Sequence, residues 1–141
     1  MGLILVLLTA CDPGAKAAKG FRLPEGDIER GKQAFVALEC NRCHTVSGVQ
    51  LAKHVSPGKF SVALGGEVIK VKTYGQLVTS IINPSHNIAK SFDRSKLEGE
   101  GSPMPQVNDK MIVQQMIDLV AFLHSRYILL EPDYSEYSYY P

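Results

Sequence analysis

Two cysteines and a histidine form a compact group of potentially reactive residues in this chain. Cys40 and Cys43 are separated by two residues, and His44 follows directly. Two thiols at this spacing can each form a thioether bond with a vinyl group of one haem, while the adjacent histidine turns under the ring and coordinates the iron. The motif therefore predicts one covalently attached haem c.

Three other interpretations of the two thiols stay open. A thioredoxin-like redox pair usually follows a strand in a βαβ unit, and no such pattern precedes Cys40. A zinc site needs a second pair of ligands at close spacing, whereas His54, His86 and His124 stand apart. A structural disulfide between the two cysteines is the third interpretation.

Composition limits the classes of protein that this chain can represent. Its 141 residues allow one domain with tails. With 45% hydrophobic and 21% charged residues, the middle of the chain can form an ordinary globular core. The net charge of +1 argues against a dedicated nucleic-acid binder. The three cysteines cannot all pair within one chain, so Cys11, Cys40 and Cys43 must have at least two different roles.

The N-terminus has the pattern of an export signal. An apolar run over residues 2–10 leads directly into Cys11 and is too short to span a bilayer. The sequence Leu8-Thr9-Ala10-Cys11 resembles a bacterial lipobox, although an ordinary signal peptide that ends near a cysteine is the alternative. We predict a lipoprotein signal peptide over residues 1–10, lipidation of Cys11 and a flexible tether over residues 11–26. The protein would then lie on the periplasmic side of the bacterial membrane, with the inner membrane preferred because Asp12 resembles a retention signal.

Helical patterns surround the cysteine motif on both sides. Asp27 is placed to cap a first helix, whose apolar face comprises Ile28, Gly31, Phe35 and Leu38. Thr73 and Gln76 have the spacing of a capping box at the start of a second helix, which stops before Pro84. A third helix is predicted with Asn108 as its N-cap. Its apolar stripe comprises Ile112, Met116, Leu119, Val120, Leu123 and Tyr127. Between the first two helices, residues 60–71 suggest a small β-hairpin around Gly65 and Gly66.

From about residue 27 to 127 the chain resembles the small class I cytochromes c. Gly31 and Phe35 match the glycine and the aromatic residue of the family's first helix, and Phe122 matches their partner in the last helix. The resemblance implies an all-α fold in which the N- and C-terminal helices pack across a covalently bound haem. It places the domain at residues 27–130 and leaves residues 131–141 as a tyrosine-rich tail.

The resemblance also indicates which residues bind the haem. His44-Thr45-Val46 and the later Pro57 resemble the segment in which a proline carbonyl accepts a hydrogen bond from the proximal histidine. Met104, between Pro103 and Pro105, resembles the family's distal ligand. A second histidine in place of methionine is the alternative, with His54, His86 and His124 as candidates. Met111 and Met116 are interpreted as packing residues of the last helix.

Ligation by His44 and Met104 would fill both axial positions of the iron and raise its reduction potential. Because no position is left for a substrate, the prediction is one-electron transfer between redox proteins and no enzymatic activity. A haem-based sensor or ligand-binding protein is the first alternative, and an electron-transfer subunit of a larger oxidoreductase is the second. Donor and acceptor candidates include a periplasmic dehydrogenase and a terminal oxidase.

Charge is unevenly distributed along the chain. Residues 45–97 carry seven basic and two acidic side chains, a balance of +5, and residues 98–141 carry two basic and seven acidic ones, a balance of −5. Such a dipole could steer the protein onto an acidic partner, although a solvated surface without an assigned partner explains it equally well.

Overall fold

A computed structural model describes residues 21–89, 92, 93, 95, 97, 99 and 101–131. The predicted signal peptide, Cys11 and the tyrosine-rich tail from residue 132 onward lie outside the described residues. The described part contains helices α1 (Ile28–Ala37), α2 (Tyr74–Ile82) and α3 (Val113–His124), and a short 3-10 turn over Cys40–Arg42. It also contains strands β1 (His44–Val46), β2 (Val62–Leu64), β3 (Gly66–Val68) and β4 (Tyr127–Leu129). No helix within these residues is long and apolar enough to cross a bilayer.

The starts of α1 and α2 agree with the predicted caps. Asp27 accepts a hydrogen bond from the backbone N–H of Arg30 at 2.8 Å. Thr73 and Gln76 form a reciprocal capping box, with N–H to oxygen distances of 2.9 and 3.2 Å. Both caps satisfy backbone donors that have no partner inside a helix, which explains why these helices begin where the sequence predicts.

The prediction for the start of α3 is wrong. Asn108 is not its N-cap, because its side-chain amide donates to the carbonyl of Ile82 at 2.9 Å. The chain makes a separate turn in which the N–H groups of Lys110 and Met111 donate to the Val107 carbonyl. The helix begins at Val113, with Ile112 as its N-cap. The N–H of Ile112 donates to the side-chain oxygen of Gln115 at 3.0 Å.

The main packing contact of the fold is the crossing of α1 and α3. Phe35 and Phe122 meet edge to face with ring centroids 5.9 Å apart, which confirms the predicted aromatic pair. Gly31 lies at the crossing, where a Cβ atom would come 2.0 Å from the carbonyl oxygen of Asp118. The absence of a side chain at Gly31 therefore allows the two helix backbones to approach closely.

Helix α2 completes the core through Leu77, Val78 and Ile81, all of which are buried with the residues of the crossing. Leu23 also packs against this core. Packing therefore begins ahead of residue 27, where the sequence places the start of the domain.

The predicted β-hairpin is wrong, although residues 60–71 do contain two strands. β2 pairs in parallel with β1, and β3 pairs in parallel with β4, so neither strand pairs with the other. Gly65 and Gly66 have φ angles of +80° and +84°, which redirect the chain between the strands. A Cβ atom at Gly65 would lie 2.8 Å from the carbonyl oxygen of Arg126, so this turn is also held close to the end of α3. The fold is thus helical with two small parallel strand pairs.

A buried carboxylate ties the beginning of α1 to α3. Asp118 is 2% exposed and accepts hydrogen bonds from the Asp27 N–H at 2.8 Å, from Arg30 Nε at 2.9 Å and from Gln114 Nε2 at 3.0 Å. These donors, with Arg30 foremost, lower the pKa of Asp118 from 3.8 to about 2. Asp118 lies on the apolar side of α3, and no pattern in the sequence marks it as a charged anchor.

The low pKa of Asp118 predicts how stability depends on pH. The folded form holds a proton less tightly than the unfolded chain, so this carboxylate stabilises the fold fully above about pH 4, and the stabilisation is lost as pH falls toward 2. Unfolding by denaturant at several pH values should therefore show an acid-side decline in the wild type that is weaker in Asp118→Asn. The exposed Asp109→Asn variant is the matched control and should follow the wild type. An equal decline in all three proteins would contradict the assignment.

Candidate functional site

The cysteine motif lies in a tight turn at the end of α1. Glu39 adopts a left-handed conformation with φ of +58°, which stops the helix, and the N–H of Cys43 then donates to the carbonyl of Cys40 at 3.2 Å. Both cysteines are half-buried free thiols. The structure therefore gives no support to a disulfide between them and leaves both thiols available for attachment.

Burial raises the pKa of the Cys40 thiol to about 11, so it stays protonated at neutral pH. A thioredoxin-like pair depends on a thiol that ionises readily, which makes this environment unsuitable for that chemistry. Zinc is equally unsupported, because no group of three or more histidine, cysteine or acidic side chains within the described ranges could hold a metal ion. The structure favours neither of these two alternatives.

The imidazole of His44 is held in its neutral form. Its Nδ1 atom lies 3.3 Å from the carbonyl oxygen of Val62, its register partner in the β1–β2 pair. Since a carbonyl can only accept, Nδ1 carries the proton and Nε2 keeps its lone pair for a metal. Burial also lowers the pKa of His44, which favours the neutral ring.

The acceptor for His44 differs from the prediction. The sequence predicts the carbonyl of Pro57 as the acceptor, but in the structure the Val62 carbonyl oxygen lies beside His44 Nδ1. Pro57 is exposed. The parallel pairing of β1 with β2 brings Val62 to this position, and pairing between distant segments is not visible in the sequence. Pro57 lies instead beside Gly58, whose N–H donates to the Arg42 carbonyl at 2.8 Å.

Gly58 is a site residue that sequence reasoning missed. A Cβ atom at this position would lie 2.1 Å from the sulfur of Cys43, so any side chain would collide with the thiol. The Pro57-Gly58 step could have suggested a turn at this point, but nothing local connects it with Cys43. Gly58 leaves the space in which the Cys43 sulfur sits.

A central cleft opens beside the motif, between α1, α2 and α3. Its empty space amounts to about 590 Å³, a volume that includes open solvent at its mouth. Cys40, His44 and Met104 all line it. The remaining lining is mostly aliphatic and aromatic and comprises Phe35, Leu64, Lys72, Leu77, Ser80, Ile81, Val107, Leu119, Leu123 and Tyr127. The fold thus brings a thiol, an imidazole and a thioether to one apolar space.

Met104 is positioned by hydrogen bonds to the end of α2. Its N–H donates to the hydroxyl of Ser102 at 3.2 Å, and the N–H of Ser102 donates to the hydroxyl of Ser85 at 3.0 Å. Asn108, bound to the Ile82 carbonyl, anchors the other end of the same loop. Sequence reasoning missed all three of these positioning residues, although small polar residues just after a helix are frequent backbone partners.

An aromatic pair joins this loop to the segment that precedes β2. Phe60 and Phe92 meet edge to face with ring centroids 5.3 Å apart. One ring lies two residues before the Val62 partner of His44, and the other lies on the loop that leads to Met104. The pair therefore links the segments that position the two candidate axial ligands.

The other histidines do not line the central cleft. The Nδ1 atom of His54 lies 3.0 Å from the backbone N–H of Ser56. His124 packs edge to face on Tyr74 with a centroid distance of 4.8 Å, and His86 is exposed. The structure therefore offers no histidine as a rival to Met104 in the cleft.

Comparison with protein families identifies the class of protein. The family model described as cytochrome c matches residues 28–126, which include α1, the cysteine motif, α3 and every residue of the cleft lining except Tyr127. The chain belongs to the cytochrome c family. No curated protein and no solved structure gives a significant match to the chain.

Membership of the cytochrome c family implies covalently attached haem c, and the residues present fit that group. The motif supplies two free thiols and a neutral imidazole, Gly58 leaves room beside one thiol, and the central cleft is lined mainly by apolar groups that suit a porphyrin ring. Cytochromes c are generally electron carriers, so this chain is a haem-binding electron-transfer protein that works with redox partners.

Proposed function

We propose that this cytochrome c carries one haem ligated by His44 and Met104 and shuttles single electrons between redox proteins at the periplasmic face of a bacterial membrane. The observation that carries the proposal is that both side chains line the same cleft as Cys40. Cys40 and Cys43 would attach the haem, which supplies an iron that gains and loses one electron.

The residues around the cleft suit electron transfer better than catalysis. The thioether of Met104 and the imidazole of His44 would hold the iron as its two protein ligands, and the thioether would favour the ferrous state. The buried side chains of Phe35, Leu119 and Leu123 exclude water from the space beside them. With water excluded and no free position for a substrate, the protein's contribution is to hold the redox centre rigidly and leave its edge accessible.

The location and the anchor rest on the sequence. A lipid on Cys11 and the tether that follows it would keep the domain at the membrane surface. The basic excess of residues 45–97 supports docking of an acidic partner, and Lys53 is one of its exposed lysines. A periplasmic dehydrogenase and a terminal oxidase are the partner classes we propose.

The test is covalent haem in the full chain produced in a bacterium with a cytochrome c maturation system. We expect a haem-stained band on a denaturing gel that resists acid-acetone extraction, and a membrane fraction that contains it. The double variant Cys40→Ser/Cys43→Ser should lose the stain, because neither thioether bond can form, whereas each single variant keeps one thiol and should retain less haem than the wild type. A wild-type protein without covalent haem would overturn the proposal.

A glycine pair makes this experiment more specific. Gly58→Ala would place a Cβ atom against the Cys43 sulfur and should reduce the stained yield several-fold. Gly75→Ala is the matched control, because the nearest atom to a Cβ there is 3.9 Å away and its yield should equal that of the wild type. Equal yields from both variants would contradict the role given to Gly58.

A further inference from the structure

Two polar side chains in the central cleft have no role in attaching or ligating the haem. The cleft is mainly apolar, yet Lys72 and Tyr127 both line it. Neither side chain has a hydrogen bond or an ion pair with another residue in the described part of the chain. Ser80, the third such residue, already donates its hydroxyl hydrogen to the Gln76 carbonyl at 2.9 Å. Lys72 and Tyr127 are therefore a cation and a hydroxyl whose polar atoms are available to a ligand.

Lys72 and Tyr127 lie on segments that the pairing of β3 with β4 joins. Lys72 directly precedes Thr73, the N-cap of α2, and lies four residues after the end of β3. Tyr127 is the first residue of β4, which pairs with β3 in the register Gly66 to Tyr127. Lys72 is exposed and Tyr127 is half-buried, so both lie where the cleft meets solvent. The pairing of β3 with β4 holds the two segments together beside the cleft.

The chemistry of haem explains why such residues would be needed. The ring is apolar except for two carboxylates on one edge, and placing a carboxylate against an apolar wall is costly unless a cation or a donor pairs with it. Cys40, His44 and Met104 account for the vinyl and axial positions only. We propose that Lys72 and Tyr127 bind the haem carboxylates at the mouth of the cleft. The Lys72 ammonium and the Tyr127 hydroxyl would each donate a charge-assisted hydrogen bond.

This proposal rests on the proposed function and has a consequence for the redox centre. A lysine paired with a carboxylate offsets a negative charge close to the iron. Without Lys72, the negative charge of the carboxylate is no longer offset. That charge stabilises the ferric form of the iron relative to the ferrous form. The reduction potential should therefore fall in Lys72→Met, whereas Lys72→Arg should retain a potential close to that of the wild type. Tyr127→Phe should show a smaller fall because it removes a hydrogen bond and no charge.

The experiment compares Lys72→Met with Lys70→Met in the haem-loaded protein. Lys70 is an exposed lysine two residues earlier that does not line the cleft. At one fixed electrode potential, we expect the ferrous-to-ferric ratio to fall several-fold in Lys72→Met and much less in Lys70→Met. High salt should reduce the Lys70 effect more than the Lys72 effect, since a contact pair is less screened than a distant charge. The haem propionate bands in the resonance Raman spectrum should shift in Lys72→Met and Tyr127→Phe only.

Equal potential shifts for the two lysine variants, or propionate bands unchanged in Lys72→Met and Tyr127→Phe, would overturn this assignment while leaving the proposed function intact. A wild-type protein that carries no covalent haem on a denaturing gel would instead overturn the proposed function and this assignment with it. The gel and the spectra therefore separate the two failures.

Discussion

Replacing Met104 with alanine is expected to convert the protein from an electron carrier with a filled coordination sphere into one whose iron binds external ligands. Among the methionines that the structure describes, only Met104 lines the central cleft with His44. If Met104 ligates the iron as proposed, removing its thioether takes away the ligand that favours the ferrous state, so the reduction potential should fall. We expect a fall on the order of 0.1 V, a fraction of the roughly 0.8 V over which axial ligands set haem potentials.

The loss of Met104 can be followed by spectroscopy as well as by electrochemistry. The ferric wild type should show the weak far-red band of a methionine-ligated haem, and Met104→Ala should lack it. Ferrous Met104→Ala should bind carbon monoxide rapidly at neutral pH, whereas the wild type should not. Rapid binding by the wild type would instead favour the sensor alternative.

Met111→Ala provides the matched control for Met104→Ala. Met111 is half-buried and packs against the core without lining the cleft. Its variant should keep the wild-type spectrum and potential and lose only some stability. Unchanged low-spin spectra and potential in Met104→Ala would contradict methionine ligation and return attention to the histidines.

The parts of the fold that could be predicted are those that local interactions determine. Asp27 and the Thr73–Gln76 capping box act within one helical turn, so residues near each other in the sequence contain the whole signal. The Phe35–Phe122 pair is not local, and it was predicted because both residues match a family pattern. The prediction of a hairpin is wrong because strand pairing depends on partners that are distant in the sequence. β2 pairs with β1 and β3 pairs with β4, and both partners are far away in the chain.

The same distinction applies to the candidate site. The cysteine motif and Met104 were identified from adjacent residues. The residues that position these side chains are remote in sequence. The Val62 carbonyl accepts a hydrogen bond from His44, and Gly58 leaves room for the Cys43 sulfur. Asn108 shows the difference clearly. Its position before a helical pattern favoured a cap, but a carbonyl at the end of α2 is its partner.

The second large effect is expected at the helix crossing. A Cβ atom at Gly31 would lie 2.0 Å from the Asp118 carbonyl oxygen and 2.6 Å from the Cβ of Phe122. The first of these is a backbone atom in the middle of α3, so it cannot move aside as the end of a flexible side chain would. Gly31→Ala must therefore push α1 away from α3, which loosens the Phe35–Phe122 contact and the hydrogen bonds that Asp118 accepts.

Two opposing terms decide the size of the Gly31→Ala effect. Alanine is the better helix former, by about 1 kcal/mol in a helix interior. Overpacking a tight core contact costs typically about 1–3 kcal/mol, and a clash with main chain belongs at the upper end of that range. The clash therefore dominates, and we expect a net loss of about 2 kcal/mol in the free energy of unfolding.

Gly75→Ala tests whether this loss comes from the crossing. Gly75 is also a helical glycine, in the first turn of α2, and a Cβ there meets nothing closer than 3.9 Å. With no clash to oppose helix propensity, Gly75→Ala should be as stable as the wild type or slightly more stable. The measurement is guanidinium unfolding of the haem-loaded proteins, followed by helical circular dichroism. A Gly31→Ala protein that gains stability as Gly75→Ala does would show that the two backbones can separate at little cost, and the close crossing would then not be what holds the domain together.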